Sequence, residues 1–267
     1  MISKQLVLAD SHVHLFRFGY GGDQKENAEL ANYEWLRQEY GIGKVLAVGY
    51  EGDEKFAGNN QYLRVISRKN SWIAPLKYVG RARPQRDAME SEFFGYSIYL
   101  PEWGDSRSGA AWLQTAAIGV RQHPIVSLNG TPESFRAARA ALLGFDSCRV
   151  LVSHLGLPGS PAKTREEAIS RLRPILDIAR VLEIYVKISG LYTFDSSVDG
   201  RGSVRYIEVL LEEIGAERLL WGSDYAPGLD HLTVNRAFAL PSAVLGSLTP
   251  SQQAMIQSEN LIKILGE

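Results

Sequence analysis

The chain has 267 residues and a mass of 29.6 kDa, with 29 Lys and Arg against 30 Asp and Glu, a formal charge of −1. A balance this close excludes a general nucleic-acid binder, which carries a basic excess on one face. Apolar residues at 45% and charged residues at 22% exclude a disordered chain.

The single cysteine, Cys148, rules out an intramolecular disulfide and any zinc site of clustered thiolates. The first residues lack the apolar stretch and small-residue cleavage site of a secretory signal. No run approaches the ~18 apolar residues of a membrane helix. The expectation is a cytoplasmic protein whose partner is a small-molecule substrate, with no nucleic acid and no membrane; a homo-oligomer stays open.

Short apolar runs rich in Val, Ile, Leu and Tyr recur at 6–9, 44–50, 72–79, 93–100, 125–128, 149–153, 184–188 and 219–222. They predict eight strands. Helical periodicity covers 28–40, 60–69, 110–122, 132–143, 164–182 and 203–214, and two more helical segments, 240–246 and 250–265, close the chain. Thr131-Pro132-Glu133 places an N-cap before a proline at the first helical position, and Thr164 to Glu167 reads as a capping box.

Strands alternating with helices imply βαβ units and a parallel sheet. Eight units in this length predict an α/β fold, a (β/α)8 TIM barrel, as a single domain over 1–267. The competing fold is an open doubly wound sheet, which often carries a Gly-rich phosphate loop after its first strand. Here the first strand runs into Asp10-Ser11-His12-Val13-His14 instead. The looser stretches 19–26 and 102–109 read as βα loops.

A barrel assembles its active site at the C-terminal ends of its strands. With side chains alternating along the first strand, Asp10, His12 and His14 share one face. Two imidazoles so spaced can bind one divalent ion; the alternative is a histidine pair on an exposed turn. His154 ends the sixth strand, either as a hydrogen-bonded core residue or facing the same cavity. Asp224 ends the eighth, where a buried carboxylate needs a partner; its alternative role is a helix N-cap. Three of the five histidines thus end strands one and six, whereas His123 precedes a strand and His231 lies in the loop after the eighth.

These segments resemble the amidohydrolase superfamily, in its amidohydrolase-2 branch. The matching pieces are Asp10-Ser11-His12-Val13-His14, Ser153-His154-Leu155-Gly156-Leu157-Pro158, Tyr185-Val186-Lys187-Ile188-Ser189-Gly190-Leu191 and Trp221-Gly222-Ser223-Asp224-Tyr225, with a closing helix around Glu259-Asn260. The resemblance implies a barrel hydrolase or decarboxylase for small organic acids, lactones or amides. In metal-dependent members the counterparts of His12, His14 and Asp224 hold a divalent ion, usually zinc, completed by a histidine ending the fifth strand. Asp224 would accept a proton from the attacking water, and His154 would polarise the substrate or shuttle a proton. Water on zinc has its pKa lowered towards about 7 and becomes a nucleophile.

The chain departs from that pattern. Its fifth strand, Pro124 to Gly130, has no histidine, and Asn129 or Leu128 stands in its place; the fourth offers no lysine or glutamate to bridge two metals. A binuclear site is not expected, and a mononuclear one has His12, His14 and Asp224, helped by Asn129 or His154. A subgroup resembling pyrone-dicarboxylate and sugar-acid lactonases works without metal and shares the Lys-x-Ser-Gly and Trp-Gly-Ser-Asp patterns. That analogy implies Asp224 as the general base, with histidines and basic residues polarising the carbonyl.

The expected function is a hydrolase opening a lactone or related ester or amide, with one divalent metal ion or none. The alternatives are a zinc-dependent decarboxylase or amidase and a catalytically inactive ligand-binding barrel. Lys187 inside the seventh strand faces either inward, towards a carboxylate or Asp224, or outward against a helix. Lys77 and Arg81, with Arg83, follow the third strand and suit an anionic substrate. Of the tyrosines near strand ends, Tyr50, Tyr78 and Tyr99 are expected to pack, whereas Tyr192 and Tyr225 join Asn129 as substrate-binding candidates. Ser127 lacks a nucleophile elbow, and Cys148 is expected to be structural.

Overall fold

The computed structural model describes residues 8–80, 92–100 and 124–266. Eight strands, β1 (Leu8–Val13), β2 (Ile42–Val48), β3 (Ile73–Val79), β4 (Gly95–Tyr99), β5 (Ile125–Asn129), β6 (Arg149–Val152), β7 (Ile184–Ile188) and β8 (Leu219–Trp221), form one sheet in sequence order. Every neighbouring pair is parallel. The sheet curls until β8 meets β1: the Asp224 N–H donates to the His12 carbonyl at 3.0 Å, and Val13 bridges to Tyr225. The fold is the expected TIM barrel.

Helices α1 (Ala28–Glu39), α2 (Asn59–Lys69), α3 (Pro132–Leu142), α4 (Arg165–Ala179) and α5 (Arg201–Glu213) fall between the strands. The expected helix 110–122 and loop 102–109 lie outside the described residues. The Thr131 hydroxyl accepts from the Ser134 N–H and the Thr164 hydroxyl from the Glu167 N–H. Thr164 to Glu167 is not a full capping box, because the Glu167 carboxylate takes the Lys163 N–H instead. The expected closing helix 250–265 is interrupted: α6 (Pro250–Ala254) carries a true capping box from Thr249 to Gln252, a π-helical turn follows over Met255–Glu259, and α7 (Asn260–Leu265) ends the chain. Among the described residues no helix is long and apolar enough to cross a membrane.

Alternation along the strands divides the apolar residues into two cores. Val45, Ile73, Ile98, Val126, Val150 and Val186 face outward onto helix residues such as Leu36, Leu63, Phe135, Leu172 and Leu210. Leu46, Ala74, Leu76, Ile125, Leu151 and Leu220 face inward and pack with Leu261, Ile264 and Leu265 of α7. Each such leucine or isoleucine stabilises the fold by roughly 1.5–3 kcal/mol. The Arg149 guanidinium donates to the Ile264 carbonyl at 2.6 Å, pinning α7 over the start of β6. Among the described residues this end of the barrel is filled mainly by apolar side chains, and the buried histidines and Asp224 lie at the other.

Candidate active site at the barrel mouth

β1 runs four residues beyond its apolar stretch, carrying Asp10, Ser11 and His12 into the wall as fully buried residues. A register irregularity between Asp10 and Val13 breaks the strict alternation. The expectation that Asp10, His12 and His14 share one face is therefore corrected. The Asp10 carboxylate turns into the wall, where Oδ1 accepts the N–H groups of His12 (3.1 Å) and Ser223 (2.9 Å) and Oδ2 accepts the Tyr33 hydroxyl (3.0 Å). His12 and His14 do converge, with their Nε2 atoms 3.1 Å apart, and His14 Nδ1 lies 2.8 Å from the Val48 carbonyl oxygen.

β6 delivers His154, whose ring centroid lies 4.5 Å from that of His12 and whose Nδ1 lies 3.0 Å from the Ser189 hydroxyl. The approach requires a glycine behind the ring, since a Cβ on Gly190, at φ +55°, would stand 2.3 Å from His154 Nδ1. β8 delivers Asp224, with Oδ1 3.7 Å from His12 Nε2 and Oδ2 accepting the Tyr192 hydroxyl at 2.8 Å. His154 (φ 55°) and Asp224 (φ 57°) both adopt left-handed backbone. Such conformations cost of order 1–3 kcal/mol each and cluster at functional sites.

Burial decides the charges. It lowers all three imidazole pKa values, His14 to about 4, even though the Asp224 carboxylate pulls His14 and His154 the other way. The histidines are neutral at neutral pH. Lys187, on β7, faces inward and is fully buried; its Nζ donates to Ser127 Oγ at 2.7 Å and lies 3.3 Å from His12 Nδ1. Burial pushes its pKa down to about 7 against the pull of Asp10 and Asp224. It makes no ion pair with Asp224.

His14, His154, Asp224, Asn129 and Tyr192 line a mouth cavity of about 410 Å³. Phe16, Tyr20, Tyr50, Phe56 and Tyr99 complete its walls, together with Lys55 and Asp53. Tyr50 and Tyr99 thus line the cavity where packing was expected. Tyr225 does not reach it: its hydroxyl is turned to α1, accepting from Asn32 and donating to the Glu29 carbonyl. Lys77 shares the strand parity of Ile73 and Val79, which face the helices, and does not line the cavity. Arg81 and Arg83 lie outside the described residues. Cys148 is buried, and burial raises its thiol pKa to about 11, as suits a structural role.

Sequence reasoning missed Phe16, Tyr20 and Phe56, which come from loops. The placement of Phe16 and Tyr20 rests on Glu29, whose two carboxylate oxygens accept their N–H groups, each at 2.7 Å. Burial raises the Glu29 pKa to about 7 despite these two donors. The Phe16 and Phe56 rings stack at 3.9 Å, and behind them a larger cavity of about 620 Å³ opens between α1 and α2. No histidine lines that cavity; His14, His154 and Asp224 line the smaller one.

The donor set suits a divalent cation. Ligand atoms of His12, His154 and Asp224 lie within 4.8 Å of one another, all buried. The 3.1 Å between His12 Nε2 and His14 Nε2 is close to the ~3.3 Å expected for two nitrogens about 2.0–2.1 Å from one tetrahedral ion. Neutral imidazoles and a carboxylate form a candidate metal site of His12, Asp224 and the expected helper His154, and His14 of the expected set stands beside it, 3.1 Å from His12.

The amidohydrolase family model matches residues 9–266. A zinc-bound amidohydrolase from Burkholderia multivorans has a similar fold, with a TM-score of 0.75 and 15% identity over 97% of this chain and 99% of that one. So has a protein from Acinetobacter baumannii described as a probable 2-pyrone-4,6-dicarboxylic acid hydrolase, solved with citric acid bound, at a TM-score of 0.73 and 16% identity over 98% of this chain and 100% of that one. An uncharacterised TIM-barrel protein from Bordetella bronchiseptica matches at a TM-score of 0.64 and 15% identity, covering 97% of this chain and 98% of that one. No curated protein matches the chain. At these identities the solved structures speak for the fold, and it is the match over nearly the whole length that decides the assignment: the chain belongs to the amidohydrolase family.

Proposed function

We propose that this protein is a hydrolase that opens a lactone, or a related ester or amide of a small organic acid, with Asp224 as general base. The observation that carries the reading is the Asp224 carboxylate itself. Oδ2 is held by the Tyr192 hydroxyl, while Oδ1 is turned to the neutral imidazoles at the mouth cavity. A carboxylate held by one oxygen has the other available for a water proton.

In this reading a water bound beside Asp224 Oδ1 gives up its proton as its oxygen attacks the carbonyl carbon. His154, whose Nδ1 lies 3.0 Å from the Ser189 hydroxyl, stands at the cavity to polarise the carbonyl or shuttle a proton as negative charge develops on its oxygen. The ring C–O bond breaks, and Asp224 returns the proton to the departing alkoxide. One lactone and one water become one hydroxy acid, which releases one acid equivalent near neutral pH. The aromatic walls bind and orient the substrate and limit its hydration.

A metal-assisted variant is favoured by the grouping of His12, His154 and Asp224. His12, His154 and Asp224 would hold the ion, with His14 beside them, zinc suiting this nitrogen and oxygen set, and bound zinc supplies Lewis-acid polarisation and a water of lowered pKa. The residues' own roles in binding, orientation and proton transfer remain those described.

The test is acid release on a panel of lactones, with elemental analysis and chelation of the purified protein. Asp224→Asn is expected to lower turnover by about 10²–10⁴-fold. Chelator-resistant turnover without bound metal supports the metal-free form; zinc lost together with activity supports the assisted one. Lactone turnover that survives Asp224→Asn refutes the assignment of the base. Carbon dioxide release in place of acid, or ligand binding with no turnover, refutes the hydrolase reading.

A further inference from the structure

In most histidine–metal sites the ring nitrogen turned away from the ion donates its hydrogen to a carboxylate, a backbone carbonyl or a water, which fixes the tautomer and raises the basicity of the ligand. His14 follows that rule, because its Nδ1 faces the Val48 carbonyl oxygen at 2.8 Å. His12 inverts it. Behind its Nδ1, at 3.3 Å, stands the Lys187 amine, whose other contact is Ser127 Oγ at 2.7 Å.

The direction of the chain follows from what each atom can give. A backbone carbonyl only accepts, so the hydrogen of His14 is on Nδ1 and its Nε2 is bare. A lysine amine has hydrogens to donate in either protonation state; with one on Ser127 Oγ at 2.7 Å, another can reach His12 Nδ1 at 3.3 Å, closer than Ser153 Oγ at 3.4 Å, and the tautomer follows from that donation. The hydrogen of His12 is then on Nε2. There it meets one acceptor, the bare Nε2 of His14 at 3.1 Å, while Asp224 Oδ1, at 3.7 Å, stands just beyond hydrogen-bond distance. Lys187, His12, His14 and Val48 form one directed hydrogen-bond chain across the bottom of the site.

We propose that Lys187 is a positioning residue that locks His12 in the Nε2–H tautomer and thereby weakens the cluster's hold on divalent cations. While the lock is in place, His12 Nε2 has no lone pair to offer, and the bare Nε2 of His14 is used by its neighbour. A cation entering between them must first move the hydrogen of His12 to Nδ1, where it faces an amine instead of a carbonyl oxygen. Without the lysine that hydrogen turns to Ser153 Oγ, 3.4 Å from Nδ1. Both Nε2 lone pairs then converge beside Asp224 and His154. The inference stands apart from the lactone reading, because neither of its readouts is turnover.

The first measurement needs no variant. In metal-stripped protein labelled with ¹⁵N-histidine, the imidazole nitrogen shifts report which nitrogen of His12 carries the hydrogen. Nε2–H is the expected result, and Nδ1–H overturns the proposal. The second is competition for zinc against a chelating dye at one fixed pH. Removing a partner behind a metal ligand ordinarily costs about 10–100-fold in affinity; here the sign is reversed, and Lys187→Met is expected to bind zinc tighter by about that factor. Affinity that is unchanged or weaker in Lys187→Met overturns the proposal.

Discussion

Asp10 offers the sharpest test of how burial sets charge in this barrel. Burial raises its pKa from 3.8 to about 6, against the donors from Ser223, His12 and Tyr33. A folded-state value above the unfolded one means that the folded state holds its proton more tightly. The contribution to stability is therefore fully present below about pH 4 and is lost as pH rises through about 6. At about 1.36 kcal/mol per pH unit, close to 3 kcal/mol is at stake in all, and about 1.4 kcal/mol of it falls between pH 5 and pH 8.

Asp10→Asn keeps the shape, with its amide oxygen accepting the His12 and Ser223 N–H groups and its NH2 turned to the Tyr33 oxygen, but it cannot ionise. Relative to wild type it should gain about 1.4 kcal/mol between pH 5 and pH 8 in urea unfolding. The transition can be followed through Trp221, buried on β8 beside the seam. Asp10→Ala also cannot ionise, but it leaves two buried backbone N–H groups without an acceptor, at about 1–3 kcal/mol each. It should fall about 2–6 kcal/mol below Asp10→Asn at every pH. A wild-type to Asn difference that does not change with pH, or an Ala variant as stable as the Asn variant, refutes the account of this seam.

Two further predictions concern the histidines. Gly190→Ala places a Cβ 2.3 Å from His154 Nδ1 at a left-handed residue, so the ring must leave Ser189; the expected result is a loss of turnover together with about 1–3 kcal/mol of stability, and unchanged turnover counts against a role for His154. His14, with its pKa lowered to about 4 by burial, should show no imidazole titration by NMR between pH 5 and pH 8, and a midpoint near the ordinary value for histidine, about 6.5, would show the site to be wetter than described.

The barrel was legible because its strands are short apolar runs separated by segments of helical period, a pattern that survives without any knowledge of contacts. The strand-end histidines and Asp224 were legible for a related reason: polar residues that finish apolar runs have few places to go in a closed sheet. What escaped depends on relations between distant segments. β7 is buried on both faces, so nothing in its alternation told which way Lys187 points. The hydrogen bonds that the Phe16 and Tyr20 N–H groups donate to Glu29 span 13 and 9 residues, and they hold this loop as an aromatic wall. Tyr225 and Tyr99 look alike as strand-end tyrosines, yet one bonds to α1 and the other lines the mouth.

Asp10 was misplaced by one irregularity in β1, and the correction separates two aspartates that the sequence presents as equals. Both lie where β1 and β8 meet, and both are buried. Three donors occupy both oxygens of Asp10, and two of them are backbone N–H groups that nothing else satisfies. Using that carboxylate as a base would unmake the seam that positions His12 and Asp224. Among the described residues the Asp224 carboxylate accepts a hydrogen bond from the Tyr192 hydroxyl at Oδ2, and its Oδ1 faces an imidazole at 3.7 Å, beyond hydrogen-bond distance. That oxygen carries no seam hydrogen bond that a water's proton would displace, and on this ground Asp224, not Asp10, is the base in the proposed reaction.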